Sequence, residues 1–370
     1  MGGTFNPGTA AKNERIALGY KGLNVMQRWD WRVPFLKWTF CYGTFPKRCR
    51  MILRQLLTRV LSGAILCIYN MHNYLGKEIS QAIREDAMAI LSVKGLTKQY
   101  EKFTLDNVSF ELEKGYIMGF IGLNGAGKTT TLKSILNLVH KDGGVVEVLG
   151  KDFTQNELEL KQEIGFMFGG VDYYPKSRIR IITDVVRRFY THWDEKTYEG
   201  YMRRFSIDEN KKVSELSSGM RVRYSLALAL SHQAKLLILD EPTSGLDPVA
   251  RDDLLELFQE LIEDGERSIL FSTHITSDLE KCADYITYIR SGRIIESRAK
   301  DDLIAAYRLV QGPREQLSRA LPLLIGYKQH AFGFTGLMRT DDISKAEGIE
   351  AGQPSIEEIM IYHERMETEL

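Results

Sequence analysis

The chain has 370 residues, 44% hydrophobic and 26% charged, the make-up of globular protein long enough for two domains or for one with appendages. Its 49 Lys and Arg balance 49 Asp and Glu, so no global charge directs it to nucleic acid. The neutrality hides an asymmetry: residues 1–87 hold 13 Lys and Arg against 5 Asp and Glu, a net of +8, and the remainder carries −8.

Cys41, Cys49, Cys67, Trp29, Trp31 and Trp38 also fall in that first stretch, which has no sustained helical or strand period. Its most apolar run, VLSGAILCIYNM at 60–71, is about 12 residues long, against the ~20 a spanning helix needs. No apolar core follows the first basic residues, as a signal peptide would require. Arg84-Glu85-Asp86 can be encoded by a purine run, AGG-GAG-GAY, resembling a bacterial ribosome-binding site just before the Met88 codon. The expectation is that translation starts at Met88 and that residues 1–87 are upstream DNA read in frame. The rival reading is a basic extension, serving as a membrane-surface arm or targeting segment. Past Met88 the lone Cys282, with no paired-Cys metal spacing, suits a reduced cytosolic compartment.

From Ala89 the chain is patterned. AILSVKGLTKQY alternates as a strand, FTLDNVSFELEKG follows as a strand pair, and YIMGFIG (116–122) is an apolar run ending in Gly, as a buried strand should. KTTTLKSILNLV (128–139) has helical spacing, and GGVVEVLGKDF returns to strand. Residues 173–215 are charged and mostly helical, with Trp193 and Asp194-Glu195 opening one helix. GMRVRYSLALALSH (219–232) becomes apolar all round and predicts a buried helix. KLLILDEP reads as a buried strand and turn, VARDDLLELFQELIEDG as an amphipathic helix ending at Gly265, SILFSTH as another buried strand and SDLEKCADY as a helix. ITYIRSGRIIES is a hairpin turning at Ser291-Gly292. This alternation predicts an α/β fold with a parallel sheet. From residue 299 a small α+β appendage is expected: YRLVQG as strand, PREQLSRALPLL as helix, and a last helix opened by a Ser355–Glu358 capping box.

Two motifs carry chemistry. GLNGAGKT (122–129) fits G-x-x-x-x-G-K-[ST] and lies between an apolar strand and a helix. Gly122, Gly125 and Gly127 let the backbone curl and aim its amides inward, with Leu123, Asn124 and Ala126 between them and Thr130 after them. Lys128 supplies charge to the β- and γ-phosphates at a helix N-terminus, and Thr129 offers its hydroxyl to Mg²⁺. The second motif, LLILDE (236–241), brings Asp240 and Glu241 to the carboxyl end of a buried strand, where open α/β sheets bind ligands. Asp240 would hold Mg²⁺ through water, and Glu241 would orient or deprotonate the attacking water; the competing reading has both carboxylates capping the next helix.

With LSSGM (216–220), SGLD (244–247) and STH (272–274) in order after GLNGAGKTT and around LLILDEP, residues 89–297 resemble the nucleotide-binding domain of ATP-binding cassette (ABC) transporters, most of all bacterial ATPase subunits that serve a separately encoded exporter. The resemblance implies a P-loop NTPase parallel sheet flanked by helices, an antiparallel β subdomain, and an inserted helical signature subdomain at about 173–232. The domains would then be 88–298 for the ATPase and 299–370 for the appendage. It further implies that Tyr100 stacks on adenine, that His274 contacts the γ-phosphate and holds the attacking water, and that Ser217, Ser218, Gly219 and Met220 contact ATP held by a second chain. Ser244, Gly245, Leu246 and Asp247 would cross the dimer interface. The implied cofactors are ATP and Mg²⁺. The implied partners are a multispan permease and a second ATPase subunit, identical or not, at the cytoplasmic face of the membrane, with no nucleic acid.

Two departures stand out. IGFMFGG (164–170) has Gly169 where the family usually has Gln, and LSSGM has Ser218 for Gly and Met220 for Gln. LSSGM also reads simply as a helix cap, and Tyr100 as a packed strand-end residue. His72, His140, His192, His232, His330 and His363 have no motif context. The alternative function is a soluble ABC ATPase acting on ribosomes or DNA, though no second cassette or long coiled coil is visible. A P-loop kinase or GTPase is disfavoured by the signature, by STH and by the lack of an N-K-x-D motif.

Overall fold

The computed structural model describes residues 89–168, 174–346 and 348–365. The basic stretch 1–87, the expected start at Met88 and Gly169 lie outside them.

Strands β1 (Ala89–Gln99) and β2 (Thr104–Glu113) pair antiparallel, so FTLDNVSFELEKG forms one strand rather than two. They join β4 (Gly143–Val148) and β5 (Lys151–Asp152) in a four-stranded antiparallel sheet, ordered β2-β1-β4-β5. On β2 burial alternates, as on a sheet with one wet face. Its dry face shares a core with Met118, Phe120, Leu132 and Ile135.

The second sheet has six strands in the order β10-β9-β3-β8-β7-β6. β3 (Ile117–Ile121), β6 (Ile164–Phe168), β7 (Leu236–Asp240), β8 (Ser268–Thr273) and β9 (Tyr285–Arg290) run parallel, and β10 (Arg293–Ala299) closes the edge antiparallel. β3, β7 and β8 are buried at every position, which is why their sequences read as unbroken apolar runs. Gly119 in β3 has a specific reason to be glycine: a Cβ there would lie 2.0 Å from Leu279 Cδ2, on helix α7 (Thr276–Cys282). Ser291 and Gly292, both with positive φ (46° and 80°), make the two-residue turn between β9 and β10.

Helices α1 (Lys128–Ile135) and α2 (Glu157–Gln162) precede the helical subdomain, which holds α3 (Ile179–Val186), α4 (Glu195–Arg204) and α5 (Ser218–Leu230). Asp194 caps α4 by accepting from the amides of Lys196 and Thr197. The last nine residues of α5, from Val222 on, are buried apart from Arg223, as its all-round apolar sequence predicts. Thr183, Tyr198 and Tyr224 share a buried hydroxyl network, with oxygen separations of 2.8 and 2.9 Å. Helix α6 (Pro248–Leu261) stops short of the expected Gly265, which takes a left-handed φ of 72° in the following turn.

After α8 (Lys300–Ala305), strands β11 (Tyr307–Gly312), β12 (Leu324–His330), β13 (Gly333–Arg339) and β14 (Glu350–Gly352) form an antiparallel sheet ordered β12-β13-β11-β14, with α9 (Arg314–Ala320) and the final α10 (Ile356–Glu364). The Ser355–Glu358 capping box is present in both directions. This part shares a core with the ATPase sheet: Tyr307, Leu337, Ile356, Ile359 and Tyr362 belong to the same buried cluster as Ile286 and Tyr288.

Candidate nucleotide site

Strand register builds the site. Ile121 is level with Thr273, and Asp240 is level with both Ser272 and Phe168. The loop after β3, the carboxylates ending β7 and the histidine following β8 therefore emerge along one carboxyl edge, where such sheets bind ligands.

The loop is shaped by glycine. Gly125 and Gly127 have φ of 82° and 113°, which side-chain-bearing residues rarely adopt. At Gly127 a Cβ would also sit 2.7 Å from Leu105 Cδ2 and 2.8 Å from Phe103 Cζ. The β9–β10 hairpin backs the loop. The Gly292 amide donates to the Ala126 carbonyl at 2.9 Å, and a Cβ on Gly122 would lie 2.3 Å from the Ile289 carbonyl oxygen.

Lys128 is only 6% exposed. Its ammonium donates to the Gly122 carbonyl at 2.8 Å and lies 3.3 Å from Glu241 Oε1. The other Glu241 oxygen is 2.8 Å from His274 Nδ1. A carboxylate only accepts, so Nδ1 carries the proton, and in the neutral ring Nε2 is left as an acceptor. Glu241 itself has a φ of 49°, a left-handed conformation costing about 1–2 kcal/mol for a non-glycine residue. Ser272 holds that turn: its Oγ and its carbonyl both accept from the Glu241 amide, at 3.0 and 3.2 Å. The same Ser272 hydroxyl donates to Asp240 Oδ1 at 2.6 Å, while Thr129 donates to Asp240 Oδ2 at 2.8 Å. Asp240 is thus fixed on both oxygens. Behind the site Asp278, 1% exposed, has its carboxyl pushed up by burial, against the opposing influence of Thr243 and Arg251.

These groups surround a cavity of about 350 Å³, lined by Leu123, Asn124, Gly125, Gly127, Lys128, Thr129, Thr130, Glu241, Ser244 and His274, together with Phe103. Gly122 and Ala126 contribute from behind, through the carbonyl contacts above. The remaining expected residues lie off the cavity wall. Tyr100 is 44% exposed, its amide donating to the Phe103 carbonyl and its ring 5.6 Å from the Lys98 ammonium. Ser217 caps α5, accepting from the Met220 amide at 3.2 Å; Ser218 follows on the helix's first turn, and Met220 packs on the core. Gly219 lies beside Leu246 and Ala250, and Asp247 caps α6 by accepting from Val249 and Ala250. Sequence reading missed two residues. Ser272 was legible within STH. Phe103 reaches the cavity through the fold of the β1–β2 turn and had no motif to announce it.

An amide-lined glycine loop with a buried lysine and a fixed Thr–Asp pair fits polyphosphate, and the comparisons with known proteins agree. The family described as ABC transporter matches residues 105–244. The ABC transporter ATP-binding protein YcbN of Bacillus subtilis (strain 168) is 34% identical over 217 residues, covering 58% of this chain and 71% of that protein. The bacitracin transport ATP-binding protein BcrA of Bacillus licheniformis is 32% identical over 58% of this chain and 71% of its own length. The Nod factor export ATP-binding protein I of Burkholderia orbicola (strain AU 1054) is 34% identical over 59% and 73%. A solved structure of an ATP-binding subunit of an ABC transporter overlays with a TM-score of 0.53 at 27% identity, covering 58% of this chain and 91% of that one. The chain belongs to the ATP-binding proteins of ABC transporters and is an ATPase subunit.

Proposed function

We propose that this chain powers export through a separate membrane-spanning polypeptide, and that two such chains close head to tail on ATP. The observation that best supports this is a division within the site. Lys128, Thr129, Glu241 and His274 line one cavity, with Asp240 held behind Thr129, while Ser217, Ser218, Gly219 and Met220 stand outside its wall. A signature that does not face its own chain's nucleotide suits one that faces a partner's.

The backbone amides of the 122–129 loop and Lys128 bind the β- and γ-phosphates. Thr129 and Asp240 would hold Mg²⁺ through their side-chain oxygens, and the ion would supply positive charge against the phosphates. Phosphate competes with Glu241 for Lys128, which releases the carboxylate to orient a water and take its proton. The water oxygen bonds to the γ-phosphorus, the bond to the bridging oxygen breaks, and ADP and phosphate result. His274, donating Nδ1–H to Glu241, holds the water through Nε2; donating to a γ-phosphate oxygen as well requires the doubly protonated ring.

Among the described residues no helix is long and apolar enough to cross a membrane. The helical subdomain exposes Tyr174, Ile181, Val185 and Phe189 at 51–71%, an apolar surface suited to a protein partner. Relatives named for bacitracin transport and Nod factor export support the outward direction. On this reading the chain works at the cytoplasmic face of the membrane, through its partner.

Glu241→Gln tests the reading. The variant is expected to bind ATP, to lose about a hundredfold or more in turnover, and to elute as a dimer in gel filtration with ATP and Mg²⁺. A variant that stays monomeric at saturating ATP overturns head-to-tail closure.

A further inference from the structure

The third signature position is one of the points where this chain departs from its family's usual pattern, and its side chain has a partner. Ser218 Oγ donates to the carbonyl of Gly245 at 3.0 Å, across 27 positions of sequence. Ser217 is already engaged as the cap of α5, so the two adjacent serines do different things. Gly245 has a φ of 71° with nothing within 4 Å of where a Cβ would stand. Its glycine therefore serves backbone conformation, and that left-handed turn directs the carbonyl to α5.

Other contacts run alongside. A Cβ on Gly219 would be 3.7 Å from both Leu246 Cδ2 and Ala250 Cβ, so the first turns of α5 and α6 lie at van der Waals distance. Leu246 is buried at 8% exposure. One turn further along, Arg223 and Asp253 bridge the same two helices at 2.8 Å. Among the described residues, Ser218 supplies the side-chain hydrogen bond to the tip of the 244–245 turn, beside this apolar packing and the exposed ion pair.

We infer that Ser218 is a positioning residue that ties the 244–247 loop to the head of α5, so that the two segments are presented to a partner chain as one rigid unit. Its consequence for ATP-driven closure rests on the dimer reading above; the tether itself does not. A glycine at 218 leaves the turn held by backbone alone, and the serine substitutes a fixed geometry for that freedom.

Hydrogen exchange on the nucleotide-free chain tests the tether directly. In Ser218→Ala and Ser218→Gly, peptides covering 242–248 are expected to exchange about two- to tenfold faster, the range of one lost hydrogen bond, with little change elsewhere. Ser218→Thr, which keeps the hydroxyl, is expected to restore slow exchange. In the Glu241→Gln background, Ser218→Ala is expected to raise the ATP concentration needed for half-maximal dimerisation severalfold, and Ser218→Thr to reverse this. Unchanged exchange at 242–248 in Ser218→Ala overturns the tether, whether or not the chain dimerises. Faster exchange in a chain whose Glu241→Gln form never dimerises upholds the tether and overturns the dimer reading instead.

Discussion

Two regions of this molecule set carboxylates against cations, and the first of them borders the nucleotide cavity. At the nucleotide site Glu241 meets Lys128 and His274, and Asp240 meets Thr129 and Ser272. Beneath the C-terminal sheet Glu296, 6% exposed, accepts from Tyr307 and Arg339 and pairs with Arg298, while Glu364 accepts from Tyr288 and pairs with Arg290. The second cluster is closed over by rings on one side: His363 lies edge-on to both Tyr288 and Tyr307, and the half-exposed Arg339 guanidinium stands 5.3 Å from the Tyr307 ring centre. Buried ionic contact by itself therefore does not mark a functional site. What separates the two is exchangeability. The Lys128–Glu241 pair borders open space that phosphate can enter, whereas Glu296 and Glu364 keep fixed Arg and Tyr partners where the appendage joins the ATPase sheet.

The largest expected effect breaks the first region. Lys128→Ala removes the cation buried against the loop and is expected to lower ATP turnover at least about a hundredfold, the scale of losing a preorganised charge, with little loss of thermal stability. Retained turnover would mean that the open cluster is as structural as the closed one. The difference between the regions was only half legible in the sequence. β3, β7 and β8 announce themselves because both faces are buried, and the 122–129 loop because its glycines must sit at fixed offsets between strand and helix. Asp240, Glu241 and His274 follow from their places just past buried strands. Phe103 and the Ser218–Gly245 contact depend on where distant turns meet, which no local spacing encodes. The C-terminal core was hidden for the same reason: Glu296, Tyr307, Arg339 and His363 come from four separate elements, and each looks ordinary in its own.

Acid should act on the C-terminal cluster through His363. Burial pushes the His363 imidazole down to about 4, with Arg290 and Arg339 adding to that against the opposing pull of Glu296. The folded chain thus keeps His363 neutral while the unfolded chain takes up a proton below 6.5. Its contribution is fully present above pH 6.5 and is lost as pH falls toward 4. At pH 5 the loss is about 2 kcal/mol relative to neutral pH. Urea unfolding at both pH values should show it in the wild type and show it much reduced in His363→Phe. The same pH dependence in both would remove His363 as its source.

The smallest expected effect sharpens the comparison most. Tyr307 is fully buried, and its hydroxyl donates to Glu296 at 2.5 Å. In Tyr307→Phe the ring remains, and Glu296 keeps Arg298 and Arg339 as partners. The loss should therefore be that of one hydrogen bond to a carboxylate still paired, about 1.5 kcal/mol, the low end for a bond to a charged group, and not the larger penalty of stranding a buried charge. For a chain of this size that lowers the melting temperature by about 3–6 °C. Because the closed cluster touches no part of the nucleotide cavity, kcat and the KM for ATP should be unchanged. A fall in kcat with no fall in melting temperature would show that the two regions communicate, and the appendage would then act on the ATPase rather than only pack against it.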